Sequence, residues 1–376
     1  MSRILIVTGE ASGDLHGANL AAALRVMRPD VQLVGVGGLR MKAAGVELVS
    51  GVERLDVVGM VGWNQLRAAW RNYAIIKRLL QQARFDAVVF IDHPGLNLHL
   101  ATMAKRAGQR VVYYIAPQIW AWRPGRIRRI KRVVDRMVVI LPFEAALYRK
   151  AGVPCEFVGH PLLDAVAPSY DRAELCKRFG LDPDAPVIGL LPGSRYGEVR
   201  TLFPVMLGAA GRLSRSHPRA QFIVAQASSI EDGFIEALST GSGMQVRVFR
   251  DQSSEIMAVA DLLLVASGTA TLQAAVIGTP MVIAYRVSWL TYWLGRLLVR
   301  VNWIGLANIV AGRGIVPELI QHEATAERLS EEAHRLLEDR VAYGQMQAAL
   351  REVRVALGEP GASRRAAEAV LKECRA

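Results

Sequence analysis

The chain contains little cysteine, and this scarcity excludes two classes of protein. Cys155, Cys176 and Cys374 are scattered along 376 residues without metal-ligand spacing. They provide neither a disulfide framework nor a zinc-finger pattern. The first apolar segment, RILIVTG, is too short for a signal peptide and is predicted to be a β-strand. We therefore expect a cytoplasmic protein.

Four further patterns are missing. The uncharged segment 262–285 contains Ser267, Gly268 and Pro280, so it is predicted to form a strand, a polar turn and a buried helix instead of a membrane span. Neither the P-loop pattern GxxxxGK[ST] nor GxGxxG occurs, which argues against ATP hydrolysis and a dinucleotide fingerprint. No Asp or His cluster indicates a metal, and we expect no cofactor.

The sequence does have an excess of positive charge, and one segment carries it. The net charge is +12, and residues 60–136 hold 15 Lys and Arg against three Asp. The remainder is balanced. Solvated helix faces are one explanation, but so one-sided a distribution favours an anionic partner: nucleic acid, a membrane surface or a phosphorylated ligand.

Short apolar runs alternate with helical patterns throughout the chain. This predicts parallel sheets covered by helices on both faces, in an α/β fold of two Rossmann-like domains. We place the domains at 1–165 and 166–345, with a helical C-terminal tail, 346–376, packing back on the first. Two such sheets facing across a cleft form the GT-B architecture, which some epimerases and periplasmic binding proteins share.

Polar residues cluster where the predicted strands of the first domain end. The turn after the first strand carries four of them: Glu10, Ser12, Asp14 and His16. Ser12 or Asp14 is alternatively a helix cap. Asp92 ends the strand DAVVFID and His93 follows it, so either is a candidate general base, although Asp92 is alternatively the cap of the next helix. An imidazole pKa also suits His16 to that role.

Two turns in the second domain have the composition of anion sites. LPGSR places Ser194 and Arg195 between a strand and a helix, where backbone N–H groups and a guanidinium favour phosphate. SGTAT repeats the arrangement with Ser267, Gly268, Thr269 and Thr271. Gln273, one turn later, is predicted to face a ribose. Two such sites suit a diphosphate, hence a nucleotide sugar.

Two aromatic stretches are candidates for contact with lipid. Residues 63–80 form a predicted basic amphipathic helix, with Trp63, Trp70 and Tyr73 towards its apolar side. Residues 287–306 include Trp289 and Trp293 and few charges. Either stretch is alternatively part of a core.

Several motifs together resemble the lipid-A-disaccharide synthase family. The resemblance runs from Ile4 to about Gln321, in GEASGD, APQIWAWRPGRIRRIK, FVGHPLLD, LLPGSR, ASGTATL and GTPMVIAYR. It implies an inverting, metal-independent GT-B enzyme of outer-membrane biogenesis. Such an enzyme joins UDP-2,3-diacylglucosamine to 2,3-diacylglucosamine 1-phosphate, giving a β-1,6-linked disaccharide phosphate and UDP.

The resemblance also implies roles for individual residues. The family's base falls on Asp92, with His16 as our second candidate, and its UDP-contacting residues fall on Arg195 and Asn308. Gln118 and Trp120 join the first-strand loop as acceptor-side residues. Two positions depart from the family pattern: DHPGLN lacks a second acid after Asp92, and Gln273 replaces a Glu.

The expected partners are the two acylated sugars and the anionic inner face of the inner membrane, not nucleic acid. Two alternatives stay open. A sugar-nucleotide epimerase would share the fold and the UDP site, and a nucleic-acid-binding module would explain the basic segment.

Overall fold

A computed structural model describes residues 2–9, 11–49, 63–122, 124–288, 292 and 301–374, with backbone only at residues 11 and 63–70. The chain divides into two compact units. The first comprises Met1–Asp164 and Leu357–Ala376, and the second comprises Ala165–Ala356.

The first unit is built on parallel strands that alternate with helices. Its elements, in chain order, are β1 (Arg3–Thr8), α1 (Ala11–Met27), β2 (Gln32–Val36), α2 (Leu39–Ala43), β3 (Glu47–Leu48), α3 (Trp63–Gln82), β4 (Ala87–Ile91), α4 (Pro94–Arg106), β5 (Val111–Tyr114), α5 (Ile127–Val133), β6 (Arg136–Val139), α6 (Pro142–Lys150) and β7 (Cys155–Phe157). In the described residues they form a seven-stranded sheet of order β3-β2-β1-β4-β5-β6-β7. A short helix, α7 (Leu162–Ala165), leads towards the second unit.

The second unit repeats this arrangement. Its elements are α8 (Arg172–Phe179), β8 (Val187–Leu191), α9 (Tyr196–Ser216), β9 (Gln221–Gln226), α10 (Phe234–Ser239), β10 (Arg247–Arg250), α11 (Ser253–Val259), β11 (Leu262–Ala266), α12 (Thr269–Ile277), β12 (Met281–Tyr285), α13 (Leu306–Ala311), β13 (Glu318–Ile320), α14 (Ala326–Glu338) and α15 (Arg340–Ala356). The described part of this sheet has six strands, in the order β10-β9-β8-β11-β12-β13. The last helix, α16 (Ala362–Cys374), packs against α1 in the first unit.

The strands are apolar because helices cover both faces of each sheet. All five residues of β4 are buried, as are all five of β8 and of β11. In the first unit, α3, α4, α5 and α6 pack on one face of the sheet, and α1 and α16 pack on the other. Continuous apolar runs are what a doubly covered parallel sheet requires, and the predicted Rossmann-like sheets are confirmed.

The segment 262–285 forms β11, α12 and β12, as its turn residues predict. Among the described residues, no helix combines the length and the apolar character needed to cross a bilayer.

Candidate active site

The strand order identifies where each unit is suited to hold a ligand. The order reverses between β1 and β4 in the first sheet and between β8 and β11 in the second. In open parallel sheets, the loops that leave the carboxyl ends of such a strand pair diverge and form a crevice. The polar turns singled out in the sequence follow these four strands.

The first crevice brings the loops after β1 and β4 into contact. A Cβ atom added to Gly9 would lie 2.6 Å from Cγ of His93. A larger residue at position 9 would therefore displace the His93 ring. The sequence places these residues 84 positions apart, and the pairing of Thr8 with Ile91 joins them.

Asp92 is held in a strained backbone conformation at the end of β4. Its φ is +49°, and that of His93 is +44°. Two consecutive non-glycine residues in the left-handed region cost about 1–3 kcal/mol each and are concentrated at functional sites. The Asp92 carbonyl accepts hydrogen bonds from Tyr113 Oη at 2.6 Å and Asn97 Nδ2 at 2.8 Å. This network fixes the position of a half-buried carboxylate.

The N-cap of α4 is His93, whose side chain makes no capping hydrogen bond. Its Nδ1 atom is buried and has no hydrogen-bond partner. The ring instead packs on the backbone at Gly9. It therefore belongs to the wall of the first crevice.

His16 lies on α1 beside the same crevice. Its ring meets the edge of Tyr114, with 6.5 Å between ring centroids, and its buried Nδ1 has no hydrogen-bond partner. Burial lowers the pKa of His16 below its usual value of 6.5. Burial, followed by the charge of His16, lowers the pKa of His160 to about 4. Both imidazoles are therefore neutral at neutral pH, the form in which an imidazole accepts a proton.

The carboxylate of Asp14 is hydrogen-bonded to backbone amides. It accepts hydrogen bonds from the amides of Gly38 at 2.7 Å, Arg40 at 3.1 Å and Met41 at 3.2 Å. These are amides at the start of α2, so Asp14 caps α2, and not the helix α1 on which it lies. Ser12 is exposed. Glu10 lies outside the described residues.

Trp120 is hydrogen-bonded to Glu144, a titratable residue that the sequence analysis does not single out. Its Nε1 donates a 3.0 Å hydrogen bond to Oε1 of Glu144, which is 2% exposed. The other carboxylate oxygen accepts the amide of Leu141 at 3.3 Å. Burial raises the pKa of Glu144 to about 7, and the charge of Asp92 adds to the rise. Gln118, in the same loop as Trp120, is exposed.

The second crevice is a cavity of about 300 Å³ in the second unit. Its lining includes residues from both predicted anion turns: Gly193, Ser194, Arg195, Ser267, Gly268 and Thr269. Two helices begin here, α9 after β8 and α12 after β11. Because a helix N-terminus carries unpaired N–H groups and partial positive charge, two of them side by side suit an anion with two phosphates.

The PGSR turn depends on a glycine and presents an exposed guanidinium. Gly193 has φ +115°, and a Cβ atom there would lie 2.7 Å from Oε2 of Glu198. Arg195 is the N-cap residue of α9, with 71% of its side chain exposed. The carbonyl of Ser194 accepts a 2.6 Å hydrogen bond from Ser229 Oγ, which anchors the turn.

Two of the predicted nucleotide-binding residues, Thr271 and Gln273, make side-chain contacts within the protein. Thr271 is buried, and its hydroxyl donates to the carbonyl of Gly268 at 2.8 Å and accepts the amide of Leu306. Gln273 Nε2 donates to Ser254 Oγ at 2.7 Å. Neither lies among the residues that line the cavity.

Asn308 is buried and uses every hydrogen-bonding position of its amide. Its Nδ2 donates to the carbonyl of Val316 at 3.0 Å and to Glu318 Oε1 at 2.7 Å. Its Oδ1 accepts the amides of Ile315 at 2.7 Å and Val316 at 3.0 Å. Two donors and two lone pairs are the full capacity of the group, so Asn308 holds the segment between α13 and β13.

The structure corrects the interfacial interpretation of the C-terminal half of α3. Ile76 and Leu80 are buried in the core, and Tyr73 packs beside them with its Oη 3.5 Å from Met103 Sδ. Tyr73 is half-buried and packs against this core, because the apolar stripe of α3 covers the sheet. Trp289 and Trp293 lie outside the described residues, as do the side chains of Trp63 and Trp70.

The outer side of the same layer of helices is basic. α3 packs on α4, and α4 packs on α5. Six exposed cations lie on α3 and α5, the two helices that pack on α4: Arg71, Lys77, Arg78, Arg128, Lys131 and Arg132. We call these six residues the basic surface.

Comparison with known sequences identifies relatives over nearly the whole chain. Residues 4–373 match the sequence model of the lipid-A-disaccharide synthetase family. The lipid-A-disaccharide synthase of Geobacter metallireducens is 49% identical over 98% of this chain and 97% of its own. That of Myxococcus xanthus is 46% identical over the same two shares.

Comparison with solved structures shows the fold. The UDP-GlcNAc 2-epimerase of Neisseria meningitidis, bound to UDP-GlcNAc, matches with TM-score 0.67 at 12% identity, covering 98% of this chain and 100% of its own. The calicheamicin glycosyltransferase CalG4 matches with TM-score 0.61 at 16% identity, covering 99% and 98%. Together with the two parallel sheets, these likenesses confirm the expected GT-B fold.

Proposed function

Because the chain belongs to the lipid-A-disaccharide synthetase family, and so is a glycosyltransferase of lipid A biosynthesis, we propose that it transfers 2,3-diacylglucosamine from UDP to 2,3-diacylglucosamine 1-phosphate. The products are a β-1,6-linked disaccharide 1-phosphate and UDP. The observation that carries this proposal is the cavity where α9 and α12 begin, with Arg195 at its edge.

In this proposal the second unit binds the nucleotide. The diphosphate lies against the amides at the starts of α9 and α12, and Arg195 supplies charge-assisted hydrogen bonds. Thr271 acts indirectly by holding the backbone of Gly268 at the cavity. Asn308 acts indirectly by holding the segment between α13 and β13. Gln273 reaches the ribose only after leaving Ser254.

The first unit supplies the base. A sugar hydroxyl needs a proton acceptor within hydrogen-bond reach for a one-step displacement with inversion. Asp92 is our first candidate because the strained backbone after β4 fixes its position. His16 is the second candidate because its imidazole is neutral and half-buried.

We further propose that the enzyme works in the cytoplasm, as a peripheral protein on the inner face of the inner membrane. Both substrates carry acyl chains and phosphate, so they reside in such a surface. The basic surface supports this proposal, because Lys and Arg near anionic lipid contribute about 1 kcal/mol each.

The test is to incubate the protein with the two acylated glucosamine substrates, without added metal. We expect UDP release matched by one disaccharide 1-phosphate per UDP in the mass spectrum of the lipid product. Substrate with all acyl chains removed is the control for acceptor recognition. A free epimerised sugar, with no disaccharide, would replace the proposal with an epimerase.

A further inference from the structure

Outside the cavity, the second unit brings together two imidazoles and a carboxylate. His217 follows the last residue of α9, and His334 and Glu338 lie one turn apart on α14. One ligand atom from each lies within 4.8 Å of the other two. The sequence separates His217 from the other two by more than 100 residues, which is why it gave no sign of this group.

The side chain of His217 is fixed in position. It is 12% exposed, and its Nε2 lies 3.0 Å from Oε1 of Glu338. Its Nδ1 lies 3.0 Å from Oγ of Ser216, and that hydroxyl also donates to the carbonyl of Leu213 at 3.2 Å. The Ser216 hydroxyl donates its single proton in the hydrogen bond to the Leu213 carbonyl. It therefore accepts a hydrogen bond from Nδ1–H of His217. The other ring nitrogen, Nε2, faces the carboxylate of Glu338.

This arrangement is that of a histidine metal ligand. Such ligands bind through one ring nitrogen while the other donates to an oxygen that orients the ring. The ring of His334 lies 5.2 Å from that of His217, centroid to centroid, and the side chain of Glu338 is 63% exposed. Small rotations would bring the three ligand atoms to the spacing of a tetrahedral ion.

We propose that His217, His334 and Glu338 bind one divalent transition-metal ion of borderline softness, with Zn²⁺ as the representative. Two imidazoles and one carboxylate, with a water as the fourth ligand, satisfy the preferences of Zn²⁺. Mg²⁺ prefers oxygen ligands in octahedral geometry and does not suit the site.

The position of the group indicates a structural role for the metal. α9 has 21 residues, so it is about 30 Å long and separates His217 from the nucleotide cavity at Arg195. α9 and α14 pack along each other, and Arg212 and Glu327 form a second link between them. The ion would fasten the last turn of α9 to the last turn of α14.

The experiment is calorimetric titration of the full chain, first stripped with chelator, with Zn²⁺ and in parallel with Mg²⁺. The variants are His217→Ala, His334→Ala and Glu338→Gln, and circular dichroism checks their folding. His322→Ala is the matched control, because His322 is an exposed imidazole of the same unit. Zinc that binds equally to all the variants, for instance at cysteines, is subtracted as the baseline of the titration.

We expect one Zn²⁺ per chain to bind and to raise the Tm by roughly 5 °C at saturation. Each ligand variant should weaken binding about tenfold or more, while His322→Ala and the affinity for UDP stay unchanged. The proposal is overturned if the wild type binds no Zn²⁺ below about 1 mM, a typical bound for weak cation sites. It is also overturned if Mg²⁺ binds equally well, or if the ligand variants bind Zn²⁺ like His322→Ala.

Discussion

Arg195 Nη1 lies 2.7 Å from Oε1 of Glu198, so the cation that we assign to the diphosphate already has a carboxylate partner in the same cavity. Exposed ion pairs of this kind contribute about 0–1 kcal/mol. A diphosphate carries more negative charge than the Glu198 carboxylate and accepts hydrogen bonds in two directions. It can therefore displace Glu198 from Arg195. We infer that nucleotide binding exchanges one partner of Arg195 for another.

Replacing Arg195 should weaken nucleotide binding. Arg195→Ala removes a hydrogen bond to a charged group, worth about 1.5–3 kcal/mol, so the Kd for UDP should rise roughly tenfold or more. Calorimetry with UDP measures this. Arg200→Ala is the matched control, because Arg200 is exposed on the same helix but does not line the cavity. Equal affinities for both variants would remove Arg195 from the diphosphate site.

Neutralising Glu198 should have the opposite effect. Glu198→Gln removes the competitor for Arg195 and one negative charge beside the bound anion. The Kd for UDP should fall, by no more than about fivefold given the weakness of exposed ion pairs. The gain should shrink at high salt, where surface charges are screened. A rise in Kd would mean that Glu198 orients Arg195 for the nucleotide.

Asp92→Asn should reduce the chemical step and spare nucleotide binding. The change keeps the shape of the side chain and removes its basicity, so kcat should fall by about 10²–10⁴-fold. Steady-state kinetics and UDP calorimetry on one preparation separate the two effects. Asp86→Asn, near the other end of β4, is the control for a change of charge alone.

The alternative assignment, in which His16 is the base, predicts a different kinetic result. If His16 is the base, His16→Ala abolishes turnover while Asp92→Asn keeps more than about a tenth of wild-type kcat. That result would leave Asp92 as a positioning residue.

The buried carboxyl of Glu144 should make stability depend on pH. Burial raises the pKa of Glu144 to about 7, so the folded chain keeps a proton that the unfolded chain loses at lower pH. The resulting stabilisation is complete below the unfolded pKa and is lost as the pH rises to about 7. Glu144→Gln cannot ionise, so its stability relative to wild type should rise by up to about 3 kcal/mol across this window.

Urea unfolding of the two proteins at pH 4.5 and pH 8 measures this difference. Glu359→Gln, a change at an exposed carboxyl of the same unit, should show no comparable trend. Parallel pH curves for wild type and Glu144→Gln would show that Glu144 has an ordinary pKa.

Reversing two charges of the basic surface should release the protein from lipid. Lys131→Glu with Arg132→Glu should lower binding to vesicles containing anionic lipid by about tenfold or more, at roughly 1 kcal/mol for each cation. Arg328→Glu with Arg351→Glu changes the net charge equally on exposed residues of the second unit. Cosedimentation of both with vesicles distinguishes a local surface from overall charge, and equal losses would rule out the local one.

The sequence predicts the sheets well because the apolar runs and the turn residues agree. β3 and β13, with two and three residues, are too short to show a periodic pattern. The two anion turns line one cavity, because the carboxyl ends of neighbouring parallel strands share one edge. The contact between Gly9 and His93 follows from the same rule.

What the sequence could not supply depends on tertiary packing. The apolar stripe of α3 has the same spacing whether it meets a core or a membrane, so the spacing alone does not show that Ile76 and Leu80 are buried. Glu144, three residues after Leu141 at the start of α6, has the pattern of an ordinary first-turn acid, and only packing buries it. No local pattern shows that the amide of Asn308 is saturated.

The return of α16 to the first unit affects the order in which the protein folds during synthesis. Ala366, Ala367 and Val370 are buried against the first sheet, and Glu373 pairs with Arg136 at 2.6 Å. The ribosome therefore completes residues 165–356 before it delivers the helix that closes the earlier unit. We expect the unit that is synthesised second to finish folding first, because one face of the first sheet lacks one of its covering helices until α16 has been synthesised.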